Sequence, residues 1–120
     1  MSQTVIPQLR ITSAASSLAF YVDGLGFVVD WKHQFGPGYP SFFQLTREGQ
    51  TIFLTEHAGD CQVGGAVYFK VPDVDQLAVS MREKGVSRVE GPDNTPWGTR
   101  EMVVTDPDGN RLRFAAELDA

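Results

Sequence analysis

The chain has one cysteine, Cys61, and two histidines in 120 residues. A lone thiol excludes a disulfide within the chain and makes a reducing cytoplasm the expected setting. Basic charge is also short. Ten Lys and Arg stand against fifteen Asp and Glu, giving a formal net charge of −5 and a pI near 4.8. That balance argues against a nucleic-acid partner, which needs a basic surface. No apolar run approaches the roughly 18 residues that span a bilayer, and no basic-then-apolar leader opens the chain, so no membrane partner is expected. Walker loop, dinucleotide fingerprint and Ser-His-Asp spacing are all missing. Without linkers or low-complexity segments, residues 1–120 read as a single domain.

What is present is a duplication. Shifted by sixty residues, half the chain length, the two halves fall into register. Arg10-Ile11-Thr12 lies over Lys70-Val71-Pro72, Leu18 and Tyr21 over Ala78 and Met81, and Thr51–Thr55 over Arg111–Ala115. Few identities survive, but strand, helix and turn signals recur at one offset. Two long units suggest duplicated modules, since a solenoid needs more.

Each half reads as strand, helix, then three strands. Val5 to Thr12 alternates as a strand, and Thr12 or Ser13 caps a helix from about Ala14 to Val22, stopped by Gly24 and Gly26. Strands follow at Phe27–Phe35, Ser41–Arg47 and Gln50–Glu56, and Gly36-Pro37-Gly38 is a turn. The second half opens with a strand at Ala66–Val71. Asp73 caps a helix running to Lys84, with Gln76 at the capping-box position and Gly85 as its stop. A ragged strand begins at Val86–Val89. A hairpin then closes the chain, its strands joined through Pro107-Asp108-Gly109-Asn110. The expected fold is therefore α+β: two tandem βαβββ modules, about 1–57 and 65–120, form a curved mixed sheet with helices on the outer face.

Alternation assigns side chains to faces. Leu9, Ile52, Leu54, Val67, Phe69, Leu112 and Phe114 choose the helix-covered side. The opposite, concave side receives Arg10, Phe53, Thr55, Tyr68, Lys70, Arg111 and Arg113, a mixture that suits a ligand cleft better than a core. Trp97, between Pro96 and Gly98, is placed at a strand entrance or loop, half exposed, as one aromatic wall. Trp31, Phe35 and Tyr39 of the first half supply a second wall for a flat ligand. Glu56, His57, Asp60 and Cys61 cluster in the inter-module loop without a fixed metal-binding geometry. Glu101 or Asp30 becomes a general base only if its surroundings raise its pKa.

Leu9-Arg10-Ile11, Ser17-Leu18-Ala19-Phe20-Tyr21, Leu25-Gly26-Phe27 and Asp106-Pro107-Asp108-Gly109-Asn110 together resemble the vicinal oxygen chelate superfamily. It contains glyoxalase I, extradiol dioxygenases, fosfomycin-resistance enzymes and the metal-free bleomycin-resistance proteins. The resemblance implies paired βαβββ modules and, in most members, a homodimer that completes the cleft. Pro96-Trp97-Gly98-Thr99-Arg100-Glu101 looks most like the bleomycin-binding members. Placed by these motifs, the four metal-ligand positions of a glyoxalase-like site fall on Ile6, Phe53, Ala66 and Arg113, none of them a metal donor. The resemblance thus implies a small-molecule binder with no metal and no cofactor, acting by sequestration through Trp97, Trp31, Phe35, Tyr39, Phe53, Tyr68, Arg10, Glu101 and Arg113. The alternative is a lyase, isomerase or dioxygenase acting on a small carbonyl or anionic metabolite. Charge pulls both ways: an acidic chain attracts cationic bleomycin-type antibiotics at long range, while the inner face carries Arg10, Lys70, Arg111 and Arg113.

Overall fold

Residues 3–118 are described by a computed structural model. Residues 1–2 and 119–120 of the expected modules lie outside them. The first module contains β1 (Gln8–Arg10), α1 (Ala14–Leu18), β2 (Val28–Gln34), β3 (Ser41–Arg47) and β4 (Gln50–Thr55). The second contains β5 (Ala66–Lys70), α2 (Val74–Glu83), β6 (Val89–Asn94), β7 (Thr99–Thr105) and β8 (Arg111–Glu117). Each module forms a four-stranded sheet, ordered β1-β4-β3-β2 and β5-β8-β7-β6. In both, the first strand runs parallel to its neighbour and the others pair antiparallel. The expected α+β tandem architecture is present, with the mixed sheet divided into two.

Local chemistry explains the helices. The Asp73 carboxylate accepts the Gln76 N–H at 3.0 Å, which satisfies an otherwise orphaned donor at the start of α2. Gly85, at φ +83°, takes the left-handed turn that ends it. Between them Val74, Leu77, Ala78 and Met81 are buried along one stripe. The first helix departs from the sequence reading. Regular winding stops at Leu18, and wider π-type turns continue from Ala19 to Gly24. Within them Tyr21 is fully buried, and its hydroxyl donates to Asp106 of the other module at 2.7 Å.

The sixth strand also differs, running over Val89–Asn94 rather than opening at Val86. Val86 packs against Gly24, where a Cβ would stand only 2.7 Å from its Cγ2. It is used as a spacer, not in a ladder.

One apolar core joins the modules. Leu9, Ile52, Leu54, Leu112 and Phe114 are all buried in it, as alternation requires, with Val67 and Phe69 packed against its edge. Phe69 stacks on Phe114 at 4.9 Å and meets Phe27 of the first module edge-on at 6.2 Å. The Asp106–Asn110 connection pins the join: Asn110 donates to the Arg10 carbonyl at 2.8 Å, and Asp108 accepts the Thr12 N–H at 3.1 Å. The molecule is elongated, 52 × 32 × 22 Å.

The repeat is not uniform. Gln8 pairs with Phe53 and Tyr68 with Arg113, an offset of sixty in both strands. Phe42 pairs with Thr55, whereas Glu101 pairs with Ala115, so β3 and β7 correspond at an offset of fifty-nine. The cause is a connection one residue longer between β7 and β8. Four residues separate the Thr46–Thr51 pair and five the Thr105–Arg111 pair.

Candidate functional site: two open sheet faces

Neither sheet has a helix over its second face. In the second module that face centres on Glu101. Its residue is only 6% exposed, yet it stands on the open side, under a canopy of donors. Oε2 accepts from the Tyr68 hydroxyl at 2.6 Å, the Thr99 hydroxyl at 2.7 Å and the Trp97 indole N–H at 3.1 Å. Oε1 accepts from Arg113 Nη1 at 3.0 Å. Burial pushes the carboxyl's pKa up, but the bonds from Tyr68, Thr99, Trp97 and Arg113 outweigh it and hold the group at about 2. The bond to Glu101 in turn raises the Tyr68 phenol above its ordinary value. A carboxylate held this firmly in its charged form is a weak base. It ties Trp97, Tyr68 and Arg113 together through hydrogen bonds.

Beside this network lies a hollow of about 300 Å³ lined by Ala66, Tyr68, Val103, Arg111 and Arg113. Trp97 rides in the turn ahead of β7 with 65% of its surface exposed, as its Pro and Gly neighbours suggest. Only its N–H is tethered; the ring is open.

The open face of the first module is aromatic. Trp31 stacks on Phe42, centroids 5.9 Å apart and planes 12° from parallel, and Phe42 meets Phe53 at 5.0 Å. The cross-strand register of β2, β3 and β4 brings the three together, since Trp31 faces Gln44 and Gln44 faces Phe53. A hollow of about 680 Å³ lies over Trp31, Phe35 and Phe42, with His33, His57 and Asp60 at its side. Phe35 is 73% exposed and touches His33 edge-on at 4.6 Å. Asp30, at a bulge in β2, accepts from Thr46 and, more weakly, from Gln44, and those bonds lower its pKa. Neither carboxylate named as a base has the raised pKa that general-base work requires.

Several expected residues are used elsewhere. The Arg10 guanidinium donates to the carbonyls of Ile11 and Glu56, at 3.3 and 3.1 Å, which clips β1 to the end of β4. Tyr39 stands exposed in the β2–β3 turn and is not in the lining of the hollow over Trp31. Thr55, assigned to the open side by alternation, is fully buried because the following loop folds back and Asp60 accepts its hydroxyl at 2.7 Å. Glu56 spends its two carboxylate oxygens on the N–H groups of Ala14 and Ser41, each at 2.9 Å. Phe42 was missed by the sequence reading; its alternation with Phe43 and Leu45 was the available signal.

The fold implies a divalent metal only where the strands offer donors. Here Phe53 and Arg113 occupy two of the expected positions, Ala66 a third, and Ile6 precedes β1. Among the described residues no three His, Cys, Asp or Glu side chains gather into a metal-binding group. Both Glu101 oxygens already accept hydrogen bonds. The residues do not fit a metal, and no chemical step is assigned to one.

Paired βαβββ modules, each with an uncovered sheet face, define the class: a two-module α+β scaffold. The chain belongs to the glyoxalase superfamily, whose family profile matches residues 1–120. It is 30% identical over 118 residues to the protein YraH of Bacillus subtilis, covering 89% of this chain and 92% of YraH. Among solved structures it resembles TnmS3, an antibiotic-binding protein from Streptomyces sp. CB03234. That match has 26% identity, a TM-score of 0.75 and 98% coverage of each chain. It also shares its fold with a bleomycin-binding protein solved in complex with bleomycin, at 21% identity, TM-score 0.78, and 97% and 99% coverage.

Proposed function

We propose that this protein binds and sequesters an aromatic small molecule, in the manner of the bleomycin-resistance members of the superfamily, with no bond made or broken. The observation that carries the reading is the Trp31–Phe42–Phe53 stack on an uncovered sheet face. A small domain gains from burying such rings, each worth about 2–3 kcal/mol, so leaving Trp31 43% exposed is a cost that ligand burial recovers. The antibiotic-binding names of two structural neighbours support the same reading.

The site is completed, in this proposal, by a second copy of the chain. Each chain carries an aromatic half-face and a polar half-face, and β1 and β5 are both sheet edges. The edge of β5 lies along a groove of about 840 Å³ between the β3–β4 turn and α2, open to another strand. Pairing there supplies both walls of a cleft, in a cytoplasmic homodimer whose interface buries about 1,200–2,000 Å². The enzymatic alternatives need a metal donor or a poised base, and the two carboxylates considered as bases, Asp30 and Glu101, are committed to hydrogen bonds.

The test is calorimetry with tryptophan fluorescence, using a bleomycin-type glycopeptide and the neutral fluorophore N-phenyl-1-naphthylamine. At least one should bind saturably, and Trp31→Ala should weaken it about thirtyfold, or ~2 kcal/mol. Absence of any response to both ligands overturns the reading.

A further inference from the structure

The hollow on the polar half-face carries a charge imbalance that the aromatic contacts do not explain. On the open side of β8, Arg111 and Arg113 alternate, and Lys70 stands on the same side of β5, level with Ala115. Against these three cations the centre of the face sets one carboxylate, Glu101, and Arg113 Nη1 already pairs with it. The Arg113 side chain is still 38% exposed, and among the described residues its Nε and Nη2 make no hydrogen bond. Arg111 is exposed, lines the same hollow, and makes no side-chain hydrogen bond among the described residues. Two further carboxylates stand on this side in β6, two strands from Arg113: Glu90, across Val103 and about 10 Å away, and Asp93, opposite Glu101 and farther along. Glu117 is farther along, opposite Thr99. The excess of positive charge is confined to the hollow, whose lining holds two arginines and no carboxylate in a chain of net charge −5.

Geometry adds direction to the charge. Glu101 fixes one side of the Arg113 fork, so the other side is presented to the hollow without the freedom of an untethered arginine. Tyr68 is held by the same carboxylate with its ring half exposed along the wall. We infer that the hollow between Tyr68, Arg111 and Arg113 is an anion subsite, and that the preferred ligand is an aromatic molecule bearing a carboxylate, sulfonate or comparable anionic oxygen group. Glu101 is then a positioning residue: it aims the arginine and the aromatic rings and touches no ligand atom. This inference rests on the aromatic-binding reading above and narrows its ligand class.

A matched pair of probes separates the two. 1-Anilinonaphthalene-8-sulfonate and N-phenyl-1-naphthylamine share their ring system and differ in the sulfonate. Wild-type protein should bind the sulfonate about tenfold more tightly, the effect of one partly exposed charge-assisted contact. Arg111→Gln, an exposed change that leaves the Glu101 network whole, should remove most of that preference and alter binding of the neutral probe less than twofold. Lys84→Gln, the same change in net charge at the end of α2, should leave the preference intact. Equal affinity for both probes in wild type overturns the anion subsite while leaving the aromatic cleft standing. An equal loss in the Arg111 and Lys84 variants also overturns it, because net charge would then be the cause. Failure of both probes to bind, or binding indifferent to Trp31→Ala, removes the cleft itself and this inference with it.

Discussion

Replacing Glu101 by glutamine keeps the shape of the side chain and removes its charge, so pH becomes the probe. The carboxyl sits at about 2 in the folded protein against an ordinary 4.5. A lowered folded pKa contributes stability above the unfolded value and loses it as pH falls toward the folded one, here between pH 5 and pH 2. The full difference corresponds to about 3 kcal/mol, and access of water at the Arg113 side of the network reduces the expected effect to roughly 1–2 kcal/mol. Urea midpoints should be measured for wild type and Glu101→Gln from pH 7 to pH 2.5. Other carboxylates titrate in both proteins, so the difference between them is the quantity of interest. At neutral pH the variant should be less stable by that amount, and the gap should narrow steadily below pH 5. The indole N–H resonance of Trp97 should shift in the variant at every pH, because the donor then faces a neutral acceptor. Parallel loss of stability in the two proteins down to pH 2.5, with an unmoved indole signal, would refute the idea that four donors hold this carboxylate.

Trp97→Ala should cost less than about 1 kcal/mol of stability, because 65% of the residue is exposed, and should weaken an aromatic ligand about thirtyfold by calorimetry. Tyr21→Phe removes the buried donor to Asp106, and thermal or urea unfolding should report a loss of about 1–2 kcal/mol without change in ligand affinity. Glu56→Ala leaves the Ala14 and Ser41 N–H groups unpaired, with a comparable loss by the same measurement. Light scattering should give about twice the 13.2 kDa chain mass at micromolar concentration; monomer alone would break the two-copy cleft.

The fold was legible where the signals were local. Alternation in β1, β4, β5 and β8 placed Leu9, Leu54, Leu112 and Phe114 inward, and Asp73 and Gly85 bracketed α2. The end of the first helix was not legible, because its wide turns accompany a hydrogen bond between Tyr21 and a residue 85 positions away. The same limit governed the site. Trp97, Tyr68, Glu101 and Arg113 were each singled out, but not that one carboxylate gathers the other three, since its donors come from two further strands and a turn. Arg10 shows that alternation gives the side of a strand and not the reach of a long side chain, which here returns to backbone carbonyls.

The extra residue between β7 and β8 has a consequence for how the two halves could diverge. Strand for strand, it sets Glu101 at the place where the first module has Phe42. One half keeps an oily patch there, and the other gains a charge with a ring of donors around it. A duplicated protein pairing like with like would offer a ligand two identical walls and no sense of direction. In the proposed two-copy site, a cleft built from one of each would have a greasy end and a polar end and favour one orientation of its guest. Selectivity of that kind needs no new strand or helix. It can begin with a change in the length of a turn, far from any atom the guest would touch.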